Sequence, residues 1–506
     1  MFDIFKIFSF LRKTFSRKDI LLIILILFLF FLTRFVNLDK FPIFSDEGIY
    51  IRWAKVARSD ATWRFISLTD GKQPLQTWGT IPFLKFFPDN ALLAGRLFGV
   101  AGGLISLIGF FILAFYLFGK PAALIGSFLY IVTPYFLFYE RLALVDSWVN
   151  AGFIWIFLFI IWLVKERRLS TSLILGLAGG MFLLAKSSVR IFLMLGILAP
   201  ILVFRKDIKK LIRESINFYV LLGLAATVAL VIYNVQRLSP FMHYVAQKNL
   251  TFVMSFSEFL KTPFQYFFYN LKNTPLFILW EMGFVIGVIG LIGLIELIRR
   301  NEKLGIYFLL WIVLPLTAII FFTKVLFPRY LIFFASILLL LCSFYLSRIK
   351  INKLKTVFFL LIFLSVSYFD YTIVFDYKNI PFPPVDRGQY IEGWPAGWGI
   401  KETMEFAREK AKEKPVIIIA EGNFGMAYDV LDVFLKPDDR ITLKGYWPLN
   451  KETLEEHQPL LKDNNIYIFF SHREDFREVW PMKLVRKIEK PGGRSSFYMF
   501  KLVPAQ

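Results

Sequence analysis

The chain has 506 residues, of which 57% are hydrophobic and 60 are Phe, with a formal net charge of +21 and a mean hydropathy of +0.58. That is far more apolar than a soluble protein of any fold class, which excludes soluble enzymes and binding modules and points to a polytopic all-α membrane protein. In a soluble chain the excess of Lys and Arg would suggest nucleic acid, but here the basic residues cluster between apolar runs, where they orient the protein, so no nucleic-acid partner is expected.

Crossing roughly 30 Å of hydrocarbon takes about 20 apolar residues in a helix. A first stretch of that kind runs near 19–36, and its length and lack of a small-residue cleavage site read as an anchor rather than a removed signal peptide. Further stretches lie near 92–117, 121–139, 146–164, 170–187, 188–204, 216–235, 276–298, 303–322, 327–347 and 354–374, giving about eleven transmembrane helices. Lys186 and Arg190 interrupt the sequence at the junction of the fifth and sixth of these stretches.

Basic residues crowd the N-terminus (Lys6, Arg12, Lys13, Arg17, Lys18) and recur at 165–168, 205–213, 299–303 and 348–355. With alternating spans these clusters share one side, so the positive-inside bias puts the N-terminus in the cytoplasm. An odd number of spans then puts the C-terminus outside. The loops 37–90 and 236–275 and the turns 141–146, 186–190 and 324–330 fall together on the outer face, where charges distant in sequence can meet.

The loop 37–90 is too long for a simple connection, and loops of this size usually carry function. It opens with Asp46-Glu47 in the run Phe-Ser-Asp-Glu-Gly-Ile-Tyr (44–50). Ile49, Trp53, Val56 and Ala57 then recur at helical spacing, with Arg52, Lys55 and Arg58 on other faces, predicting an amphipathic helix lying in the membrane interface. After Asp-Gly-Lys-Gln-Pro-Leu (70–75) comes a second short helix with Trp78 and Phe83, so that the loop frames an entrance for a lipid. The loop 236–275 is rich in Phe and Tyr and reads as an interfacial helix pair held by an aromatic belt, with substrate gating as the alternative.

Charged residues reach ordinary soluble density beyond about residue 375, so the chain divides into a membrane domain, 1–375, and a soluble extracytoplasmic α/β domain, 376–506. In the latter 401–412 and 426–434 read as helices and 416–420 and 440–444 as strands, with 454–461, 466–470 and 497–502 continuing the alternation. Glu421-Gly-Asn-Phe-Gly425 follows a strand, yet it lacks the dinucleotide fingerprint and the loop lysine of a phosphate loop and is expected to be a plain strand-to-helix turn.

A carboxylate at membrane depth is costly unless paired, so Asp46, Glu47 and Asp146 are candidate catalytic groups. Arg141 is the expected partner of Asp146, which alternatively caps the helix that it opens. Cations complete the outer face: Lys72, Lys186, Arg190, Lys324 and Arg329 lie near its boundary, as do Arg141 and Tyr330. Snorkelling to headgroups explains any one cation, whereas a cluster of them suits a phosphate or diphosphate, and a carboxylate beside it suits deprotonation of an acceptor. The three histidines, His243, His457 and His472, are scattered and make no ligand cluster, and the single cysteine, Cys342, rules out an intrachain disulfide.

Asp-Glu straight after the first span, Lys-x-Pro-Leu two dozen residues on, Arg-Leu-x-Leu-x-Asp before a later span and Arg-Tyr-Leu opening another together resemble the protein O-mannosyltransferase and lipid A aminoarabinose transferase group. These are integral-membrane glycosyltransferases of the GT-C fold, and the likeness covers most of 18–350. It implies a polyprenyl-phosphate sugar donor, an acceptor protein, glycan or lipid, reaction on the outer face of the plasma (inner) membrane and inversion at the sugar carbon. In that likeness Asp46 matches the catalytic acid, with Glu47 beside it, and Asp146 the second acidic position. Lys72 matches the lysine near the donor phosphate, and Arg329 and Tyr330 match a later Arg-Tyr element. The chain departs at Gln73, where the group often has Pro, and at Ser187-Ser188, where Gly commonly follows the lysine.

Single displacement is the expected mechanism, with Asp46 as base, Glu47 either orienting it or beginning the interfacial helix, and Lys72, Arg329 and either Lys186 or Arg190 around the departing phosphate. It needs no cofactor, although a divalent ion at Asp46 and Asp146 stays open because oligosaccharyl transferases of the wider class use one. A lipid-linked sugar flippase or polymer transporter is the alternative; it expects mid-span charges and repeated halves, and neither is visible.

Overall fold

The computed structural model describes residues 14–203, 208–473, 475–476 and 480–504. Lys6, Arg12, Lys13 and Arg205, which entered the orientation argument, lie outside them. The helices run in the order α1 (Arg17–Phe35), α2 (Ser45–Ser59), α3 (Leu75–Phe86), α4 (Ala91–Phe118), α5 (Lys120–Ile131), α6 (Pro134–Tyr139), α7 (Asp146–Glu166), α8 (Leu169–Leu183), α9 (Arg190–Leu195), α10 (Ile208–Tyr233), α11 (His243–Phe252), α12 (Phe256–Lys261), α13 (Phe267–Glu281), α14 (Val285–Arg300), α15 (Glu302–Phe322), α16 (Ile332–Arg348) and α17 (Asn352–Phe375).

Every apolar stretch found in the sequence is helical, but fewer than about eleven are spans by length and composition. Among the described residues six helices are long and apolar enough to cross a membrane, and up to seven if the bent pair α13 and α14 counts as one. That pair replaces the straight helix expected over 276–298 with a 108° bend. Gly283 and Phe284 sit at the bend with φ of 69° and 60°, a left-handed conformation that ends a right-handed helix. One glycine in an apolar run gives no warning of this, because membrane helices carry glycine freely. The stretch 121–139 is likewise split into α5 and α6, and the described part of 188–204 holds a short helix, α9, followed by a 3-10 segment that runs to Val203. α1 is nearly all Leu, Ile and Phe, but Arg17, Lys18, Asp19 and Arg34 at its ends keep it out of the six.

Among the described residues, two of the buried polar knots inside this apolar bundle are well paired. Arg34 donates to Glu140 at 3.0 Å, Tyr130 donates to the same carboxylate at 2.6 Å, and Asn150 joins Tyr130 to Ser336. This ties α1, α5, α7 and α16 together where an unpaired group would cost several kcal/mol. The second knot, around Glu47 and Arg96, belongs to the site and is described below.

Beyond α17 a short helix, α18 (Pro384–Arg387), leads to a mixed α/β unit that contains α19 (Ile400–Glu413), α20 (Tyr428–Val433) and α21 (Lys451–Glu456). Its five-stranded sheet has the order β4-β3-β5-β7-β6, with β3 (Val416–Glu421), β4 (Ile441–Tyr446), β5 (Asn465–Phe470), β6 (Met482–Glu489) and β7 (Ser496–Leu502). β3 is parallel to both β4 and β5, while β7 runs antiparallel to β5 and β6. The expected elements are present, and the one missing from the sequence reading is β6. It is an edge strand whose residues 484–487 are largely exposed and whose pairing is broken by a bulge between Leu484 and Arg486, so it shows no clean alternation. The Glu421–Gly425 segment is a turn, with positive φ at Gly422 and Gly425.

This unit does not hang free. Ile43-Phe44, strand β1, pairs antiparallel with Ala396-Gly397, strand β2. Ile51, Ala54, Leu92 and Ala94 share one hydrophobic cluster with Ile418, Met404, Val430 and Leu431. Helix α2 is therefore packed between the membrane helices and the α/β unit, and the expectation that it lies in the membrane interface is corrected. Its apolar face is buried in protein, and its basic face is spent on pairs: Arg52 with Asp429 at 3.0 Å and Lys55 with Asp432 at 2.8 Å. Gly48 makes the contact close, since a Cβ there would stand 2.6 Å from Val430.

Asp429 is fully buried and accepts from the Gly425 N–H at 2.6 Å as well as from Arg52. Burial outweighs these partners and pushes its carboxyl up to about 6. The unfolded value is lower, about 3.9, so folding takes up a proton between the two; this contribution is complete below the unfolded value and is lost as pH rises through about 6. The Tm in detergent should fall across that window, and Asp429→Asn should flatten the slope, as read by thermal melts at stepped pH.

Candidate active site

The segment that carries Asp46 is shaped by Glu47. Asp46 and Glu47 occupy the first turn of α2, where carboxylates meet the positive end of the helix dipole. The Glu47 side chain turns inward: it is fully buried and accepts the Phe44 N–H at 3.0 Å, the Ala143 N–H at 2.8 Å and two Arg96 donors at 2.9 and 2.8 Å. Arg96 spends its remaining donors on the carbonyls of Leu38, Phe41 and Pro42. The expectation of Glu47 as a catalytic group is thereby corrected, because every lone-pair direction is used to fold the loop and none faces substrate. Glu47 is a positioning residue that fixes both Asp46 and the 141–146 turn.

Asp46 itself faces a cavity of about 590 Å³. One carboxylate oxygen lies 3.2 Å from Lys72 Nζ and the other 3.0 Å from Arg329 Nη1. Burial alone would raise the Asp46 carboxyl, but the adjacent charges of Lys72 and Arg329 overcome this and hold it well below the usual carboxylate range. Lys186 lies 3.6 Å from Asp146 and 3.9 Å above the Tyr330 ring. Burial pushes its ammonium down, and Asp146 opposes that shift. Asp46, Lys72, Asp146, Lys186, Arg329 and Tyr330 thus all line one cavity, although they come from four separate segments of the chain.

Three expected members lie elsewhere. Arg141 donates to the carbonyls of Thr33, Arg34 and Val36, which satisfies the end of α1; it does not pair with Asp146 and lies outside the cavity lining. Arg190 is exposed and stacks on Tyr233 at 4.4 Å, outside the cavity lining. Lys324 pairs with Glu258 at 2.8 Å. Asp146 is the first residue of α7, and the residue before it, Val145, makes no side-chain cap, so pairing with Lys186 and not helix capping accounts for it.

Several site residues escaped the sequence reading. Lys248 on α11 lines the cavity and pairs with Asp70 at 2.7 Å, while Asp70 also stands 3.5 Å from Lys72. The close approach depends on Gly71, whose φ is 64° and whose Cβ would lie 2.5 Å from the Tyr244 carbonyl. The aromatic content of 236–275 had masked this single lysine. Gln389, Trp394 and Pro395, from the segment entering the α/β unit, form another part of the lining, and nothing in the sequence of that segment marks a site.

The arrangement has a clear chemical character. Four cations, Lys72, Lys186, Lys248 and Arg329, face two carboxylates in the lining, and Pro315, Ile319 and Phe322 of α15 make an apolar wall. That combination suits an anion with a hydrocarbon tail. It does not suit a divalent ion. Asp46 and Asp146 are each countered by a cation, and among the described residues no three His, Cys, Asp or Glu side chains converge.

Comparison with known proteins agrees with this geometry. A family model described as dolichyl-phosphate-mannose-protein mannosyltransferase matches residues 72–233. The crystal structure of ArnT from Cupriavidus metallidurans bound to undecaprenyl phosphate superimposes with a TM-score of 0.58 at 14% identity, covering 95% of this chain and 97% of that one. The oligosaccharyltransferase AglB from Archaeoglobus fulgidus, in complex with an inhibitory peptide and a dolichol-phosphate, gives 0.52 at 14%, covering 90% and 69%. No curated protein matches the chain. The chain has the GT-C fold and a multi-pass membrane architecture with a C-terminal sheet domain, and over residues 72–233 it resembles the mannosyltransferase family.

Removing one partner of a buried ion pair leaves a bare charge. Glu47→Ala should therefore cost about 3–5 kcal/mol of stability and lower the Tm in detergent sharply, whereas Arg190→Ala should leave it within experimental scatter of the parent.

Proposed function

We propose that the protein is an inverting glycosyltransferase that moves a sugar from a polyprenyl-phosphate donor to a hydroxyl or amine of an acceptor protein, glycan or lipid. The observation that carries this reading is Asp46 held between Lys72 and Arg329 at the head of an apolar-walled cavity. The bound undecaprenyl phosphate of ArnT and dolichol-phosphate of AglB support a lipid-linked donor here as well. Reaction on the outer face, with the N-terminus in the cytoplasm and the chain in the plasma (inner) membrane, follows from the positive-inside bias and the likeness to the group.

In the donor-free site Lys72 and Arg329 keep Asp46 ionised but weakly basic. A donor phosphate competes for both cations, and as they turn to its oxygens their hold on Asp46 relaxes and its basicity rises. Arrival of the donor thus readies the base. The acceptor heteroatom attacks the anomeric carbon and its proton passes to Asp46. The bond from that carbon to the phosphate oxygen breaks with its electron pair, and the charge growing on phosphate is met by Lys72, Arg329 and Lys186. Attack opposite the leaving group inverts the sugar carbon, and nearby carboxylates stabilise an oxocarbenium-like transition state. Asp146, 3.6 Å from Lys186, keeps that lysine charged and oriented.

A flippase or polymer transporter needs no base on a fixed carboxylate. Purified protein should transfer sugar from a polyprenyl-phosphate donor, and Asp46→Asn should reduce turnover by about 10²–10⁴-fold while leaving the melting curve intact. Undiminished turnover in that variant removes the base assignment. Lys72→Ala and Arg329→Ala should each weaken polyprenyl-phosphate binding by about ten- to a hundredfold, and unchanged affinity in both removes the phosphate assignment.

A further inference from the structure

Gln73 is left unexplained by the phosphate chemistry. It follows Lys72 directly, lines the same cavity and is only 5% exposed, yet its amide nitrogen is buried without a hydrogen-bond partner. A buried amide donor is normally paired, and an orphan in a ligand cavity marks a group waiting for a ligand atom. Gln389, which lines the cavity from the segment leading into the α/β unit, carries the complementary defect: its side-chain carbonyl oxygen is buried and has no partner. One orphan donates and the other accepts.

We propose that the Gln73 amide, together with Gln389, hydrogen-bonds hydroxyls of the sugar carried on the donor phosphate and so determines which sugar is accepted. The inference rests on the reading of Lys72 as a donor-phosphate ligand. The polyprenyl tail offers no hydrogen-bonding atoms, and the phosphate offers acceptors only, already served by cations. A sugar hydroxyl both donates and accepts, so it answers an unpaired N–H and an unpaired C=O alike. Position argues the same way: the sugar is bonded directly to the phosphate, and the residue next to the phosphate lysine is therefore within reach of the ring. A proline at position 73 would bring no such group. Trp394, 49% exposed and in the same lining, adds an aromatic surface on the Gln389 side, where the apolar face of a sugar ring packs well.

The test compares binding of two kinds of probe to the full-length protein in detergent: polyprenyl phosphate without sugar, and a panel of polyprenyl-phosphate hexoses and pentoses. The parent should bind at least one sugar-bearing lipid more tightly than the bare phosphate. Gln73→Leu should lose about tenfold of that preference, with bare-phosphate affinity unchanged, and Gln389→Leu should erode the same preference. Because Leu replaces an unpaired amide, the Tm of the ligand-free Gln73→Leu variant should stay level or rise. A preference equal to the parent's in both variants, an equal loss for bare and sugar-bearing lipid, or a fall in Tm that makes Gln73 a structural residue would each overturn the proposal, as would a parent with no preference for any sugar. Failure of the parent to bind polyprenyl phosphate at all sinks the donor reading itself, an outcome separate from the others.

Discussion

A single buried carboxylate, that of Glu47, organises everything around the site. It binds the guanidinium of Arg96 from α4, the N–H that starts its own helix and the N–H of Ala143 in the turn leading to Asp146. Both members of the ion pair are fully buried, so the pair survives only because each remaining donor and acceptor is used; a half-satisfied version would be worse than an apolar core. The result is mechanical. The two acids that face the cavity are fastened to one anchor and cannot drift apart as loop residues normally would.

The cavity is built on the opposite principle. Its cations outnumber its carboxylates, its ion pairs run from 2.7 to 3.6 Å, and Asp46, Lys72, Lys186 and Lys248 are partly exposed where Glu47 and Arg96 are not. Pairs of that kind can be reorganised by an incoming anion at little cost, since each cation exchanges one anionic partner for another. Stiffness in the support and exchangeability in the lining are what a site needs when charge must move during the reaction.

Much of this was legible in the sequence, and the failures have physical causes. Asp46, Lys72, Asp146, Lys186 and Arg329 stood out because charge next to an apolar run is costly, Tyr330 through the Arg-Tyr element of the resemblance, and all six line the cavity. Asp46 and Glu47 could be ranked, Asp46 as base and Glu47 as its orienting neighbour or the start of the helix, but not separated outright, because adjacent carboxylates differ only in which way the first turn of a helix points them. Arg141 and Arg190 were misjudged for the reverse reason: a cation near a membrane boundary has many uses, and ending α1 or stacking on Tyr233 leaves no mark in spacing. Lys248 and Asp70 meet only through tertiary packing around Gly71. The amphipathic period of α2 correctly gave a two-faced helix, yet the period of a helix cannot say whether its apolar face meets lipid or another part of the same chain.

The clamp on α2 by the C-terminal unit has a bearing on biogenesis. Arg52 and Asp429 are separated by 377 positions, and Ile43 waits for Gly397 to complete its strand. During synthesis the acid-bearing helix thus emerges and sits unburied until almost the whole polypeptide has followed it. A truncated or half-translated chain carries the charged groups without the wall that Gln389 and Trp394 add to the cavity. The order of the chain thereby acts as a safeguard, in which the cavity is walled in only after the segment through Asp429 has followed α2.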